Sequence, residues 1–244
     1  MEKIILEGYR GSRAHGTYIP PDDPNSIDDI DYMGIYVKPM EYYLGFGSYH
    51  HRSEVKESFA GNVDKVCYEL KKFMHLASKC NPNVLSILYN RREDYTLVTL
   101  SGQMLIDNRE LFLARKSIYD AFGGYARSQL HRMTHIKYEG YMGAKRKKLA
   151  EKYGYDCKNA SHCVRLLKIG TELLLTGHLK VYRDEDRQLL MDIKTGKYAL
   201  PEVQVMAEKF FKALDEAYHE STLPMENNIK AIENLMITII NAEC

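Results

Sequence analysis

Two aspartates, two positions apart in the sequence Asp29-Ile30-Asp31, are the residues with the clearest capacity for chemistry. They open an apolar segment, which predicts a strand over Asp29–Val37. Side chains at positions i and i+2 of a strand point to the same face, so both carboxylates should face one point. A hard dication such as Mg2+ prefers oxygen ligands of this kind and keeps room for water and substrate phosphates.

A glycine-serine pair, Gly11-Ser12, precedes the two aspartates and follows a strand predicted over Lys3–Glu7. A helix that opens at this pair would offer free backbone N–H groups to a phosphate. Phosphate-binding groups together with metal-binding carboxylates are typical of phosphoryl or nucleotidyl transfer. The acids of the intervening loop lack the spacing of a calcium-binding loop. No Gly-Lys-Ser/Thr sequence follows the glycine, which excludes a Walker loop.

This order of strand, Gly-Ser, polar loop and carboxylate pair resembles the signature of the DNA polymerase β superfamily of nucleotidyltransferases. Here the signature reads Arg10-Gly11-Ser12, a long spacer and Asp29-Ile30-Asp31-Tyr32, with Arg10 where an apolar residue is usual. The chain is most similar to one branch, the predicted bacterial and phage nucleotidyltransferases that include RNA-ligase-associated polymerase-β-like proteins. Three stretches carry the similarity: residues 11–16 (GSRAHG), 64–88 and 158–177.

The resemblance implies an α+β fold, in which a polymerase-β-like core of a mixed sheet with flanking helices is followed by a helical C-terminal part. It also implies a third carboxylate on a neighbouring strand. Asp64 and Glu69 are both open for this role, at the start and the end of a strand predicted over Val63–Tyr68. Asp64 is preferred, because a glutamate in the first turn of a helix has a structural explanation.

The implied reaction moves a nucleoside monophosphate from a nucleoside triphosphate to a hydroxyl acceptor and releases pyrophosphate. Two Mg2+ ions, for which Mn2+ can substitute, would be held by carboxylates. Gly11 and Ser12 would bind the β- and γ-phosphates. The residues expected to be catalytic and to bind metal are Asp29, Asp31 and Asp64, with Glu69 as the alternative third ligand.

Further nucleotide-binding residues are expected in the GSRAHG loop and in a helix predicted over Ser161–Thr176. Arg13 has a guanidinium suited to phosphate, although a solvated loop residue is equally open. Lys158, His162 and Arg165 recur at helical steps and so gather on adjoining positions. Their alternative is an ordinary amphipathic helix with solvated bases. With the resemblance, these three residues are expected to line the nucleotide site.

Length and composition limit the number of domains and the class of the fold. The chain has 244 residues and 45% apolar content, enough for one large or two small domains. Strands followed by helices predict an α+β protein with a catalytic domain over 1–110 and a helical domain over 111–244. No run of 18 apolar residues occurs, so no membrane partner is expected. Five scattered cysteines predict reduced thiols and a cytoplasmic location.

The distribution of charge along the chain bears on the identity of the acceptor. The net charge of +1 excludes general nucleic-acid binding by the whole surface. The basic run Lys145–Lys148 and the ligase-associated relatives favour an RNA 3′ end, while a protein hydroxyl or a small molecule stays open. An alternative function is a catalytically idle module that binds nucleic acid or protein. The presence of Gly11, Ser12 and both aspartates argues against it. The base of the nucleotide and the oligomeric state are not assigned.

Overall fold

The computed structural model of this chain describes residues 2–23, 26, 28–45, 55–134 and 144–244. By its internal contacts the chain divides into two compact units. The first, here called the sheet unit, comprises Met1–His15, Asp29–Ala114 and Pro224–Cys244. The second, here called the helical unit, comprises Gly16–Asp28 and Arg115–Leu223.

The sheet unit contains a mixed sheet, whose described strands have the order β3-β4-β2-β1-β5. Strands β2 and β4 are parallel, and the other neighbouring pairs are antiparallel. Parallel strands need a crossover, and here the connection contains the short helix α2 and the edge strand β3. The strands are β1 Lys3–Tyr9, β2 Ile30–Val37, β3 Val55–Ala60, β4 Val63–Glu69 and β5 Tyr95–Val98.

Helices of the sheet unit cover one side of this sheet with apolar faces. Helix α3 buries Leu70, Phe73, Met74 and Ala77, which recur at helical spacing. It packs against β2, β4 and the C-terminal helix α11. The helices of this unit are α1 Gly11–Ala14, α2 Met40–Leu44, α3 Leu70–Ser78, α4 Pro82–Leu85, α5 Leu100–Asp107 and α11 Ile229–Glu243.

The helical unit is organised around α8, which packs against α6, α9 and α10. Asp156 caps the N-terminus of α8 by accepting from the backbone N–H groups of Lys158 and Asn159. The apolar stripe of α8 is buried throughout: Cys163, Leu166, Leu167, Gly170, Leu173 and Leu174. The helices of this unit are α6 Arg115–Thr134, α7 Ala144–Tyr153, α8 Cys157–Thr176, α9 Arg187–Lys194 and α10 Leu200–Glu220.

These elements confirm the predicted α+β class, with a strand-rich N-terminal part and a helical C-terminal part. The predicted domains 1–110 and 111–244 stay a prediction. The two units are defined by contacts, and each draws on segments that are distant in sequence. Gly16–Asp28 packs within the helical unit, whereas α11 packs on α3 and α5 of the sheet unit. No helix in the described ranges combines the length and the apolar character that a bilayer crossing requires.

Candidate active site

Strand pairing brings two of the predicted carboxylates side by side. Asp31 of β2 and Asp64 of β4 are direct partners in the register of the parallel pair. Neighbouring strands lie about 4.8 Å apart, and paired residues project to the same face. Both aspartates are partly buried. The sheet therefore places two acidic side chains next to each other on one face.

Asp29 lies immediately before β2, so this strand begins one residue later than the sequence predicts. The backbone N–H of Ile30 donates to the carbonyl oxygen of Asn62 over 2.8 Å, which starts the pairing with β4. The side chain of Asp29 is exposed. Chain connectivity keeps Asp29 two residues from Asp31, but sheet pairing does not fix its orientation as it does for Asp31.

Gly11 lies against the carboxylate of Asp31. Its φ of +63° is in the left-handed region, and a Cβ added there would lie 2.2 Å from Oδ2 of Asp31. The preceding N–H, of Arg10, donates to the backbone carbonyl of Asp31 over 2.9 Å. Only glycine meets both requirements, the positive φ and the close approach.

Ser12 and the start of α1 carry polar groups suited to a ligand. The Ser12 hydroxyl oxygen is buried and makes no hydrogen bond among the described residues. No side chain caps the N-terminus of α1. Because α1 spans only four residues, its individual N–H groups matter more than a helix dipole. These donors fit an oxygen-rich ligand such as a phosphate.

Arg10 contributes a cation that the sequence analysis did not include in the site. Its Nη2 lies 3.0 Å from Oδ2 of Asp64, and both side chains are 24% exposed. The available signal in the sequence was the basic residue at a position where related signatures carry an apolar one.

Glu69, the alternative third carboxylate, has a different environment. Its side chain is fully buried and accepts hydrogen bonds from the Tyr43 hydroxyl over 2.6 Å and from the Lys72 backbone N–H over 3.1 Å. The second bond caps α3. Burial is the main cause that raises the pKa of Tyr43 well above its ordinary value, and the hydrogen bond from Tyr43 to Glu69 is the second cause. Glu69 is five positions from Asp64, about 16 Å along the strand, so it does not lie beside Asp31.

Arg13 belongs to a small cation-aromatic cluster. Its guanidinium carbon lies 4.4 Å from the ring centroid of Tyr9, and the rings of Tyr9 and Tyr32 are 4.8 Å apart. The hydrogen bond that the Tyr32 hydroxyl donates to the Tyr9 hydroxyl is the main cause that raises the pKa of Tyr32. Such contacts orient a guanidinium without neutralising its charge. The sequence predicts Arg13 as a nucleotide-binding residue, but no sequence pattern indicated its contact with Tyr9.

Lys158, on α8 in the helical unit, is placed near a buried carboxylate. Its Nζ lies 3.4 Å from Oδ1 of Asp28. Asp28 also accepts from the Ile19 backbone N–H over 3.0 Å and forms an ion pair with Lys194. Lys194 donates to the Thr17 carbonyl over 2.7 Å, and burial lowers the pKa of Lys194. No sequence pattern predicted this network, which holds Thr17, Ile19 and Asp28 within the helical unit.

His162 and Arg165 follow on the same helix. The ring of His162 lies 6.0 Å from that of Tyr125 in an edge-to-face arrangement. Removal from water, with Arg183 as the second cause, lowers the pKa of Arg165 to about 9. The charged form of Arg165 is therefore disfavoured by its surroundings, although it persists at neutral pH. The helix thus brings Lys158, His162 and Arg165 into one row, as predicted from their spacing.

The basic run Lys145–Lys148 divides into two kinds of residue. Arg146 binds Asp156 and Asn159 over 2.7 Å each, so it supports the N-terminal cap of α8. Lys145, Lys147 and Lys148 are exposed. The three lysines form a positively charged face on α7.

The acidic side chains of β2 and β4 are the candidate ligands for a metal ion. In the described part of the chain, no three His, Cys, Asp or Glu side chains form a ready-made metal cluster. The oxygen donors of Asp31 and Asp64 nevertheless fit a hard dication, because they are adjacent and both remain accessible to solvent. Asp29 is two residues away and exposed, so it is free to add a third carboxylate.

Comparison with known proteins identifies the family of the chain. A search of curated proteins found no match to the chain. The sequence profile of one family, described as the RNA repair pathway DNA polymerase beta family, matches residues 2–238. The match includes residues of both units and every candidate site residue described above. The chain therefore belongs to the RNA repair pathway DNA polymerase beta family.

Proposed function

We propose that this protein transfers a nucleoside monophosphate from a nucleoside triphosphate to a hydroxyl acceptor and releases pyrophosphate. The observation that carries the proposal is the direct pairing of Asp31 with Asp64, with Gly11 against the Asp31 carboxylate. Membership of a polymerase-β-type family supports this class of chemistry. A fold alone does not determine an activity, and the proposed activity is therefore assigned from Asp31, Asp64 and Gly11.

In this proposal Asp29, Asp31 and Asp64 hold two divalent cations, Mg2+ or Mn2+. Such ions, when bound, stabilise the negative charge of the phosphates and lower the pKa of an attacking hydroxyl. The protein's own contribution is to fix the carboxylates of Asp31 and Asp64 on adjacent strands. The acid beside Asp31 is Asp64, because Glu69 is buried and already caps α3.

We assign the phosphates of the nucleotide to donors at the start of α1. The buried Ser12 hydroxyl and the first N–H groups of α1, which begins at Gly11, supply these donors. Arg13 adds a charged donor that is oriented by Tyr9. We further assign Lys158, His162 and Arg165 to nucleotide binding. An anion close to Arg165 would relieve the unfavourable burial of its charge, which is the support for its role.

We propose an RNA 3′ end as the acceptor. The family is described by its place in RNA repair, and the exposed lysines of α7 offer a cationic face to a polyanion. A cytoplasmic location is the matching expectation, and all five cysteines are free thiols. A protein hydroxyl and a small molecule are competing acceptors in the experiment below.

The test is incubation of the purified full chain with each α-labelled nucleoside triphosphate, Mg2+ or Mn2+, and RNA, DNA and protein acceptors. We expect label on RNA with a free 3′-hydroxyl and none on the same RNA with a blocked 3′ end. The Asp31→Asn variant should lose at least about a thousandfold in rate, as expected when a group that binds catalytic metal is neutralised. The exposed Asp107→Asn serves as the matched control and should transfer normally.

Two results would contradict the proposal. Undiminished transfer by a protein in which both Asp29 and Asp31 are replaced by Asn would place the activity elsewhere. Failure to label any acceptor, together with tight binding of RNA or a partner protein, would favour the idle binding module instead.

A further inference from the structure

We infer that Arg10 is a positioning residue that competes with a divalent cation for Asp64. The inference rests on the proposed function, because it concerns the same carboxylates. It assigns to Arg10 a regulatory contribution: the guanidinium sets how tightly the nucleotide-free protein binds metal.

Arg10 connects the ends of three strands. It follows β1 directly, and its backbone N–H donates to the Asp31 carbonyl of β2 over 2.9 Å. Its side chain reaches β4, where Nη2 donates to Oδ2 of Asp64 over 3.0 Å. The backbone of Arg10 is therefore fixed to the main chain of Asp31, and its charge lies on the carboxylate of Asp64.

The side-chain contact is of a kind that can be displaced. It is a single donor-acceptor contact, not the two-bond arrangement that makes an arginine-carboxylate pair strong. Both partners are 24% exposed, and ion pairs accessible to water contribute little to stability. The Arg10 Nε is buried and has no hydrogen-bond partner among the described residues, so the guanidinium retains donor capacity for another acceptor.

The competition follows from charge. A guanidinium stays protonated at every relevant pH. A dication between Asp31 and Asp64 would approach this positive charge and would also have to displace it from Oδ2 of Asp64. Phosphate oxygens are favourable partners for a released guanidinium. The nucleotide-free protein should therefore bind its cations more weakly than the two aspartates alone would allow.

The experiment measures Mn2+ binding to the full chain without nucleotide, from the electron paramagnetic resonance signal of free Mn2+. Arg10→Gln and Arg10→Met remove the positive charge. We expect the Kd for Mn2+ to fall roughly tenfold, because one unit charge near a partly exposed site no longer repels the cation. Arg10→Lys keeps the charge and should resemble the wild type. Lys65→Gln is the matched control, because it removes the same charge from the adjacent residue of β4, where Lys65 pairs with Glu7. It should shift the Kd less than about twofold.

An Asp31→Asn arm separates this inference from the proposed function. Loss of Mn2+ binding in Asp31→Asn, with wild-type or weaker binding in Arg10→Gln and Arg10→Met, overturns the role of Arg10 and leaves the proposed metal site intact. Unchanged Mn2+ binding in Asp31→Asn rejects the metal site itself. Neutral variants of Arg10 that cannot fold would show that the ion pair is structural, which also overturns the inference.

Discussion

Gly11 and Asp31 are in direct van der Waals contact, and a Cβ atom added to Gly11 would lie 2.2 Å from Oδ2 of Asp31. The absence of a side chain at Gly11 therefore leaves the space that the Asp31 carboxylate occupies. The backbone hydrogen bond from Arg10 to the Asp31 carbonyl fixes the same two segments. In the proposed site, the phosphate-binding turn and a metal-binding carboxylate thus form one packed unit.

The first prediction concerns the substitution Gly11→Ala. The new methyl group would displace the Asp31 carboxylate, and the backbone would be strained at a φ of +63°. We expect nucleotidyl transfer to fall at least about a hundredfold, because misplacement of a reacting group by 1 Å can have that effect. The free energy of unfolding should fall by about 1–3 kcal/mol. Steady-state kinetics and urea unfolding measure the two effects.

Gly61→Ala is the control for backbone strain. Gly61 has the same φ of +63°, but a Cβ there would meet nothing within 4 Å. This variant should lose only about 1 kcal/mol of stability and keep its turnover. Equal losses of activity in the Gly11 and Gly61 variants would show that the contact with Asp31 is irrelevant.

The second prediction distinguishes Asp64 from Glu69. Asp64→Asn removes a partly exposed charge, so stability should change by less than about 1 kcal/mol while transfer falls by orders of magnitude. Glu69→Gln weakens the buried bonds to Tyr43 and Lys72 and should cost about 1–3 kcal/mol, with most turnover kept in the folded protein. Parallel measurements of kcat and of urea unfolding check both. An inactive but fully stable Glu69→Gln protein would reverse the assignment.

Local patterns in the sequence were sufficient to predict β1, β2, β4 and helix α8. These elements have apolar residues at regular spacing, and their ends are marked by capping residues or turns. Edge strand β3 was missed because all six of its residues are exposed and no apolar alternation marks it.

The contacts that define the site depend on residues distant in sequence. Asp31 and Asp64 become neighbours only through the register of two parallel strands, which no local pattern specifies. The same holds for the buried pair of Asp28 with Lys194, since lysine is rarely a core residue. Residue types could therefore identify which acids were available, and the pairing adds that Asp64, and not Glu69, is the register partner of Asp31.

The third prediction concerns Arg165 on α8. Arg165→Met removes a charge that burial disfavours, so the melting temperature should stay the same or rise. The Kd for a fluorescent nucleoside triphosphate should nevertheless rise tenfold or more, because a charge-assisted phosphate contact is lost. Titration of the nucleotide and thermal unfolding measure these two quantities. Lys168→Met, one turn along α8 and paired with Asp186, is the control and should leave the nucleotide Kd unchanged. Wild-type nucleotide affinity in Arg165→Met would exclude this residue from the site.

The last prediction is an alkaline loss of stability caused by buried thiols. Burial raises the pKa of Cys80 and of Cys157 from 9.0 to about 11, and that of Cys163 to about 12. Above pH 9 the unfolded chain releases these protons while the folded protein keeps them. The folded state then binds more protons, so the free energy of unfolding falls by about 1.4 kcal/mol per pH unit for each such thiol. This stability is fully present below pH 9 and is lost as the pH rises towards 11.

Cys80→Ala isolates one of these contributions. The variant should be less stable than the wild type at pH 7.5, because it loses buried packing and the contact of Sγ with the Phe112 carbonyl. Its free energy of unfolding should then decline less steeply between pH 9 and 10.5, and the slope should be smaller by about 1.4 kcal/mol per pH unit. Urea unfolding at several pH values under reducing conditions measures both slopes. Cys244→Ala, which removes an exposed thiol, should retain the wild-type slope. A Cys80→Ala slope as steep as that of the wild type would show that Cys80 does not keep its proton in the folded state.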